Sequence, residues 1–406
     1  MFRVKTLSAN LKNRQDSKVF NSNPFQKILK AFPRGYFDAV VAQKNANHYD
    51  KKFKSYDHLL ALIFGQISGV NSLRELETAF NANASSHYHL GTRTIKRSTV
   101  SDANQRRDPA VFQSVAESLM KQVSKRQRRG LEPMLALLDS TPIQLKSRGH
   151  DWAKAKATTF QTGFKVHVMI DGYDHTPSYV NITDPNVNDV TDALNMPIEP
   201  QTLYVFDKGY CSYPLWHRIN TTQSHFVTRF KSNAALEVTQ SNPLEDSSII
   251  SDEVVVFRHK NNRSGHDNPY HGTPLRRVTV QREGKRPIVL ATNLMDAPAT
   301  EVADLYKKRW DIELFFKWLK QNLKVKKFLG ESRNAVMLQI YAAIITYLLT
   351  WIYRQATGIQ TTMHLMLTEL KQVLFSREDK NYQTRMRRRR KEAQQLTEDI
   401  QHAMAF

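Results

Sequence analysis

Between Met134 and Asp207 the chain passes through four short β-rich runs, MLALLD, FKVHVMID, PSYVNI and TLYVFD, and no other feature restricts its fold so tightly. The first three follow in succession, and a helical stretch, NDVTDAL, precedes the fourth. Strands that follow one another directly pair antiparallel as hairpins, whereas a strand reached through a helix can return parallel to its sheet. The predicted core is therefore α/β, a mixed sheet that opens with hairpins and continues through a crossover. SHFVTRFK reads as a fifth strand.

The remaining segments divide around that core. Residues 1–24 are polar and aperiodic and read as a flexible arm. Residues 25–130 carry helical apolar spacing, as in SYDHLLALIFGQISG and SLRELETAF, and are expected to form an all-α DNA-binding domain. The first part of the core covers 131–233, and 234–290, where apolar and polar residues alternate around a turn at Gly284, reads as a β-rich insertion. Residues 291–360 return to helix and complete the core, and 361–406 form a basic helical tail. This order of elements matches a ribonuclease H-like core with an insertion and an N-terminal all-α domain.

Lys and Arg outnumber Asp and Glu by 59 to 38, a formal charge of +21 that calls for a polyanionic partner, either nucleic acid or an anionic membrane. The one membrane-like segment, Val336 to Tyr353, is only about the minimum length for a span and contains Gln339, Thr346 and Thr350. A helix buried behind a sheet is the better reading, and no membrane partner is expected. The lone Cys211 excludes intramolecular disulfides and a Cys-based zinc cluster and suits a reducing cytoplasm. No charged leader with an apolar core opens the sequence, so export is not expected.

Some of the basic residues are clustered. In KRSTVSDANQRRD, Ser98 and Thr99 can cap a short basic helix suited to be the second helix of a helix-turn-helix. Lys96, Arg97, Ser98, Thr99, Ser101, Asn104, Arg106 and Arg107 are its candidate DNA-recognition residues, with a solvated surface helix as the plainer alternative. Near the end, Arg385, Arg387, Arg388, Arg389, Arg390 and Lys391 offer nonspecific phosphate contacts, or simply a solvated charge cluster.

Two aspartates, Asp139 in LLDST and Asp207 in FDKGY, close apolar strands, where an open α/β sheet tends to place its ligands. Either alone could be a turn residue or cap. Their company is YKKRWDIELFFKWLK, read as one helix with Tyr306, Arg309, Glu313 and Lys320 at offsets of three, seven and fourteen residues. At about 100° per residue one face then presents a phenol, a guanidinium, a carboxylate and an ammonium. Trp310, turned away from Arg309, is expected in the core. His167 could be a metal ligand but reads better as a hydrogen-bonded strand histidine.

Tyr-x2-Arg-x3-Glu-x6-Lys, matched by Tyr306, Arg309, Glu313 and Lys320, resembles the signature of the insertion-sequence 4 family of bacterial transposases, and Asp139 and Asp207 resemble its two catalytic aspartates. PRGYFD, FKSYDHLLALIFGQISG, SLRELE and KRSTVSDANQRRD look like the accessory domain of such enzymes, so the resemblance runs from about Phe25 to Tyr353. It implies a ribonuclease H-like fold and a β insertion. It also implies two Mg²⁺ ions, replaceable by Mn²⁺, held by Asp139, Asp207 and Glu313, with Tyr306, Arg309 and Lys320 binding DNA phosphates. The implied partners are double-stranded DNA, as terminal inverted repeats and target, and a second copy in a synaptic homodimer. The implied setting is the cytoplasm, at the nucleoid. In some relatives a Trp of the insertion stacks on a flipped base, but no Trp lies between Trp216 and Trp310, which leaves Tyr270 or Phe257 as substitutes. The rival reading is a transposase-derived DNA-binding protein that no longer cuts.

Overall fold

The computed structural model describes residues 22–127, 134–145, 163–244, 246–261, 265, 267–322 and 328–376. The described chain opens with helices α1 (Pro24–Leu29), α2 (Arg34–Gln43), α3 (Ser55–Ser68), α4 (Leu73–Asn81), α5 (Ala84–Leu90), α6 (Arg97–Arg106) and α7 (Ala110–Gln127). Strands β1 (Met134–Gln144), β2 (Gly163–Asp171) and β3 (Pro177–Thr183) follow, then α8 (Asp189–Asn195), β4 (Thr202–Phe206), α9 (Tyr213–Thr221) and β5 (His225–Arg229). Next come β6 (Leu236–Ser241), β7 (Ile249–Phe257), β8 (Leu275–Arg282) and β9 (Lys285–Thr292). Helices α10 (Ala299–Lys307), α11 (Trp310–Asn322), α12 (Arg333–Thr357) and α13 (Met363–Val373) end it.

All the strands join one mixed sheet in the order β3-β2-β1-β4-β5-β9-β8-β7-β6. The hairpins β1–β2 and β2–β3 are antiparallel, and the crossovers through α8 and α9 bring β4 parallel to β1 and β5 parallel to β4. The β-rich stretch read as an insertion is an antiparallel meander whose last strand, β9, pairs with β5. It therefore extends the central sheet.

Strand periodicity divides the core. Leu135 and Leu137 of β1 join a cluster on one face, while Ala136 and Leu138 join another with Tyr204, Phe206, Trp216 and Phe226. Helix α12 lies in the first cluster, and 94% of its most apolar window is buried inside the protein. It packs against α1, α3, α6 and α7, so the N-terminal helices share one apolar core with the sheet. Of the arm expected at 1–24 only residues 22–24 are described, and there the Asn23 side chain caps α1.

Helix α6 does not start where Ser98 or Thr99 would cap it. Its N-cap is Lys96, without a side-chain bond. The entry is fixed instead by Asn81, whose side chain accepts from the Ile95 N–H and donates to the Ile95 carbonyl, both at 2.8 Å.

One buried ion pair ties the meander to the helix that follows it. Arg276 on β8 donates to both oxygens of Asp252 on β7, at 2.8 and 2.6 Å, and to the carbonyls of Leu294, Met295 and Ala297 just before α10. Removing one partner of such a pair strands an uncompensated charge. Asp252→Ala is expected to cost about 3 to 5 kcal/mol in urea unfolding; a loss under about 1 kcal/mol would show that Arg276 finds other acceptors without strain.

Candidate active site

The β1–β4 register builds the first half of the site. Leu138 pairs with Phe206, so Asp139 and Asp207 come out side by side on the next rung. β1 does not end at Asp139, as its sequence suggests. It continues to Gln144 along β2, and only its pairing with β4 stops there. The second half is not the single helix expected between Tyr306 and Lys320. α10 stops at Lys307 and α11 starts at Trp310. Tight bonds from Arg309 N to the Tyr306 carbonyl (3.2 Å) and from Asp311 N to the Lys308 carbonyl (2.9 Å) form the joint. Tyr306, Arg309 and Ile312, three residues apart, all turn inward there, and a 3₁₀-like winding aligns residues at that spacing.

Trp310 is not in the core as expected. The residue is 60% exposed on the side of α11 that also carries Leu314 and Lys317, with the Arg309 guanidinium carbon 4.9 Å from its ring centroid.

The two halves meet through polar contacts. The Tyr306 hydroxyl donates to Asp207 Oδ1 at 3.1 Å, and an Arg229 nitrogen lies 3.8 Å from the same oxygen. Arg309 donates to Glu313 Oε1 at 2.8 Å and lies 3.7 Å from Asp139 Oδ2. The Ser140 N–H donates to Asp139 Oδ1 at 2.8 Å, and Lys320 donates to the Thr141 hydroxyl. Burial pushes the Asp139 carboxyl up to about 6; the Ser140 N–H and Arg309 oppose the shift, and the charges of Glu313 and Asp207 add to it. Burial, with the Asp207 charge beside it, raises the Tyr306 phenol to about 12, so it stays a donor.

Among the described residues no three His, Cys, Asp or Glu side chains form a ready-made metal cage. The donor set still fits a hard divalent cation. Asp139, Asp207 and Glu313 all have side chains partly open to solvent, Asp139 and Glu313 are bridged by Arg309, and such a cation typically takes only one or two protein carboxylates and fills its other positions with water and substrate oxygens.

The other expected residues fare unevenly. Lys96, Arg97, Ser98 and Ser101 are exposed on α6, and Thr99 is half-buried. Asn104 and Arg107 cannot read DNA from where they stand. Asn104 is buried with its side-chain oxygen 2.8 Å from His58 Nε2, and Arg107 is buried against Asp50 at 2.7 Å and the Phe53 and Lys54 carbonyls. Arg106 is exposed but engages Asp50 and Asp102. Phe257 and Tyr270 are buried beside Trp216 and present no ring face to DNA, while His167 bonds through Nε2 to the Thr183 hydroxyl at 2.9 Å. Arg385 to Lys391 lie outside the described residues. Sequence reading missed Arg229 and Asp189, which lie far from the aspartates in the chain and reach them only through the placement of β5 beside β4 and of α8 behind Ser140.

Residues 131–349 match the family model described as a transposase DDE domain. The chain belongs to the DDE transposase family. Residues 21–93 match a second model, a domain of unknown function. A protein of Sinorhizobium fredii named transposase y4zB is 40% identical over 286 residues, covering 69% of this chain and 78% of that one. A Geobacillus stearothermophilus protein named as a transposase for insertion sequence element IS5377 is 32% identical, covering 60% and 62% respectively. A piggyBac transposase synaptic complex with hairpin DNA, solved by cryo-EM, aligns with a TM-score of 0.45 at 11% identity over 89% of this chain and 83% of that one. As a DDE transposase, this enzyme cleaves DNA and transfers strands with the help of divalent metal.

The raised Asp139 value has a measurable consequence for this transposase. With its folded value near 6 and the ordinary one near 4, Asp139 keeps its proton in the folded chain over a range where the unfolded chain has released it. Its contribution favours the fold at acid pH and is lost as pH rises from about 4 to 6. In EDTA, Asp139→Asn should therefore be more stable than wild type at pH 7, with the two converging towards pH 4. Urea unfolding across that range checks it, and parallel curves would show that Arg309 already offsets the burial.

Proposed function

We propose that this transposase is the enzyme of an insertion sequence of the insertion-sequence 4 kind, with a ribonuclease H-like catalytic core, and that it cuts element ends and joins them to a target. The observation that carries this reading is the meeting of Asp139 and Asp207, side by side just past the last β1–β4 pair, with the Tyr306–Glu313 segment through the Tyr306–Asp207 and Arg309–Asp139 contacts. Asp139, Asp207 and Glu313 hold the metal, two Mg²⁺ ions for which Mn²⁺ can substitute. When bound, the metal activates the attacking oxygen and stabilises the leaving one.

The chain's own groups position the rest. Tyr306 fixes one Asp207 oxygen by its hydrogen bond, which leaves the other free. Arg309 offers a planar fork of donors to a phosphate beside the carboxylates, and Lys320, bonded to Thr141 two residues after Asp139, adds a point charge. Exposed Trp310 presents an aromatic face to DNA at the same edge. Lys96, Arg97, Ser98 and Ser101 supply contacts from the helical region, and the basic tail adds general affinity. Terminal inverted repeats and target duplex are the substrates, a homodimer holds two ends in the synapse, and the work is done in the cytoplasm, at the nucleoid.

Asp139→Asn, Asp207→Asn and Glu313→Gln should each abolish cutting of an element-end duplex in Mg²⁺ while gel-shift affinity hardly changes. Near wild-type cutting by any one of them removes that residue from the set. Arg309→Lys keeps the charge but loses the fork, and a phosphate misplaced by about 1 Å costs on the order of a hundredfold in single-turnover rate. Cleavage within about twofold of wild type would reduce Arg309 to part of the general electrostatic field.

A further inference from the structure

A partly buried polar cluster lies directly behind Asp139, and one of its members lies beside the surroundings of both aspartates. Asp189, the first residue of α8, accepts a hydrogen bond from the Ser140 hydroxyl at 2.6 Å. Ser140 in turn donates its backbone N–H to Asp139 Oδ1. On its other side, α8 packs against the Lys208–Tyr210 turn that follows Asp207, with Asp189 Oδ2 beside Gly209 at a distance that would leave an added Cβ in ordinary contact, 3.8 Å. One carboxylate thus braces the residue after Asp139 and the turn after Asp207.

Asp189 is also poorly placed to be a metal ligand. The oxygen that takes the Ser140 hydroxyl has the Lys165 ammonium at 3.3 Å and His167 Nδ1 at 3.5 Å. Lys165 is itself held by the Val187 carbonyl at 2.8 Å, and His167 by Thr183, so the donors around Asp189 are fixed in place. An oxygen already occupied by a hydroxyl and an ammonium has little left to give a cation, but it makes a rigid anchor.

We infer that Asp189 is a positioning residue for DNA cleavage, holding the Asp139 carboxylate at its working angle through Ser140 and keeping the Asp207 turn beside it. The inference rests on the reading of Asp139 as a metal ligand. Groups that orient metal ligands from behind typically cost tenfold to a hundredfold in metal affinity or activity when removed.

The test is single-turnover cleavage of an element-end duplex as a function of Mg²⁺ concentration, with thermal midpoint and end affinity measured alongside. Asp189→Ala should slow cleavage by about tenfold to a hundredfold and raise the half-saturating Mg²⁺ several-fold. Asp189→Asn retains an oxygen that can accept from Ser140 and should recover most of that loss. Ser140→Ala should reproduce Asp189→Ala, and the double variant should be no worse than either alone. Cleavage within twofold of wild type for Asp189→Ala would overturn the inference. So would a loss of activity with unchanged Mg²⁺ dependence and a lowered thermal midpoint, which makes Asp189 a packing residue of α8. An Asp189→Asn protein as inactive as Asp139→Asn would make Asp189 a ligand in its own right. If Asp139→Asn itself cut normally, the reading of the site would fail before the role of Asp189 came into question.

Discussion

The parallel pairing of β1 with β4 is the constraint on which the site depends. Because Leu138 faces Phe206, the next residue along each chain is an aspartate, and the two stand side by side where β4 ends and β1 runs on along β2. A slip of one residue in this pairing would send one carboxylate into the opposite core. The register is secured from both faces. Leu135, Leu137 and Val205 pack towards α12, while Ala136, Leu138, Tyr204 and Phe206 pack against Trp216 and its neighbours. The bulk of the apolar core thus serves to hold a single rung in line.

At that rung, Asp139, Asp207 and the neighbouring Glu313 of α11 repel one another, and cations and hydrogen-bond donors compensate them. Arg309 bridges Glu313 and the edge of Asp139, Arg229 and Tyr306 lie on Asp207, and Ser140 supports Asp139 from behind. Compensation is incomplete where burial is deepest, which is why Asp139 is held above the usual carboxylate range. Carboxylates set beside Arg309, Arg229 and Lys320 suit an enzyme that must gather metal and phosphate in one place.

Much of this was legible in the sequence. The strands around MLALLD, FKVHVMID and TLYVFD and the crossover helix follow from apolar patterning, and so does α12, whose Gln339, Thr346 and Thr350 mark a protein core and not a lipid span. What sequence could not give was relative placement. The alternation of residues 234–290 announces strands but not that β9 pairs with β5 and makes them part of the main sheet. Trp310 reads as a core residue by its type, but on α11 it stands opposite Ile312 and Leu319, on the side of the exposed Leu314 and Lys317. Asn104 and Arg107 look like DNA-reading residues because of their type, but His58 and Asp50, each more than forty residues away in the chain, have claimed them.

The central claim is that Asp139 and Asp207 act together as ligands of the metal that drives cleavage. Its most direct test is metal rescue, with single-turnover cutting by Asp139→Cys and Asp207→Cys measured in Mg²⁺ and in Mn²⁺. A thiolate is a poor ligand for Mg²⁺ and a better one for the softer Mn²⁺. Both variants should be inactive in Mg²⁺ and recover cutting in Mn²⁺, while Asp139→Ala and Asp207→Ala stay inactive in either. Equal activity of a cysteine variant in both metals, or recovery of the alanine variants in Mn²⁺, would contradict the account.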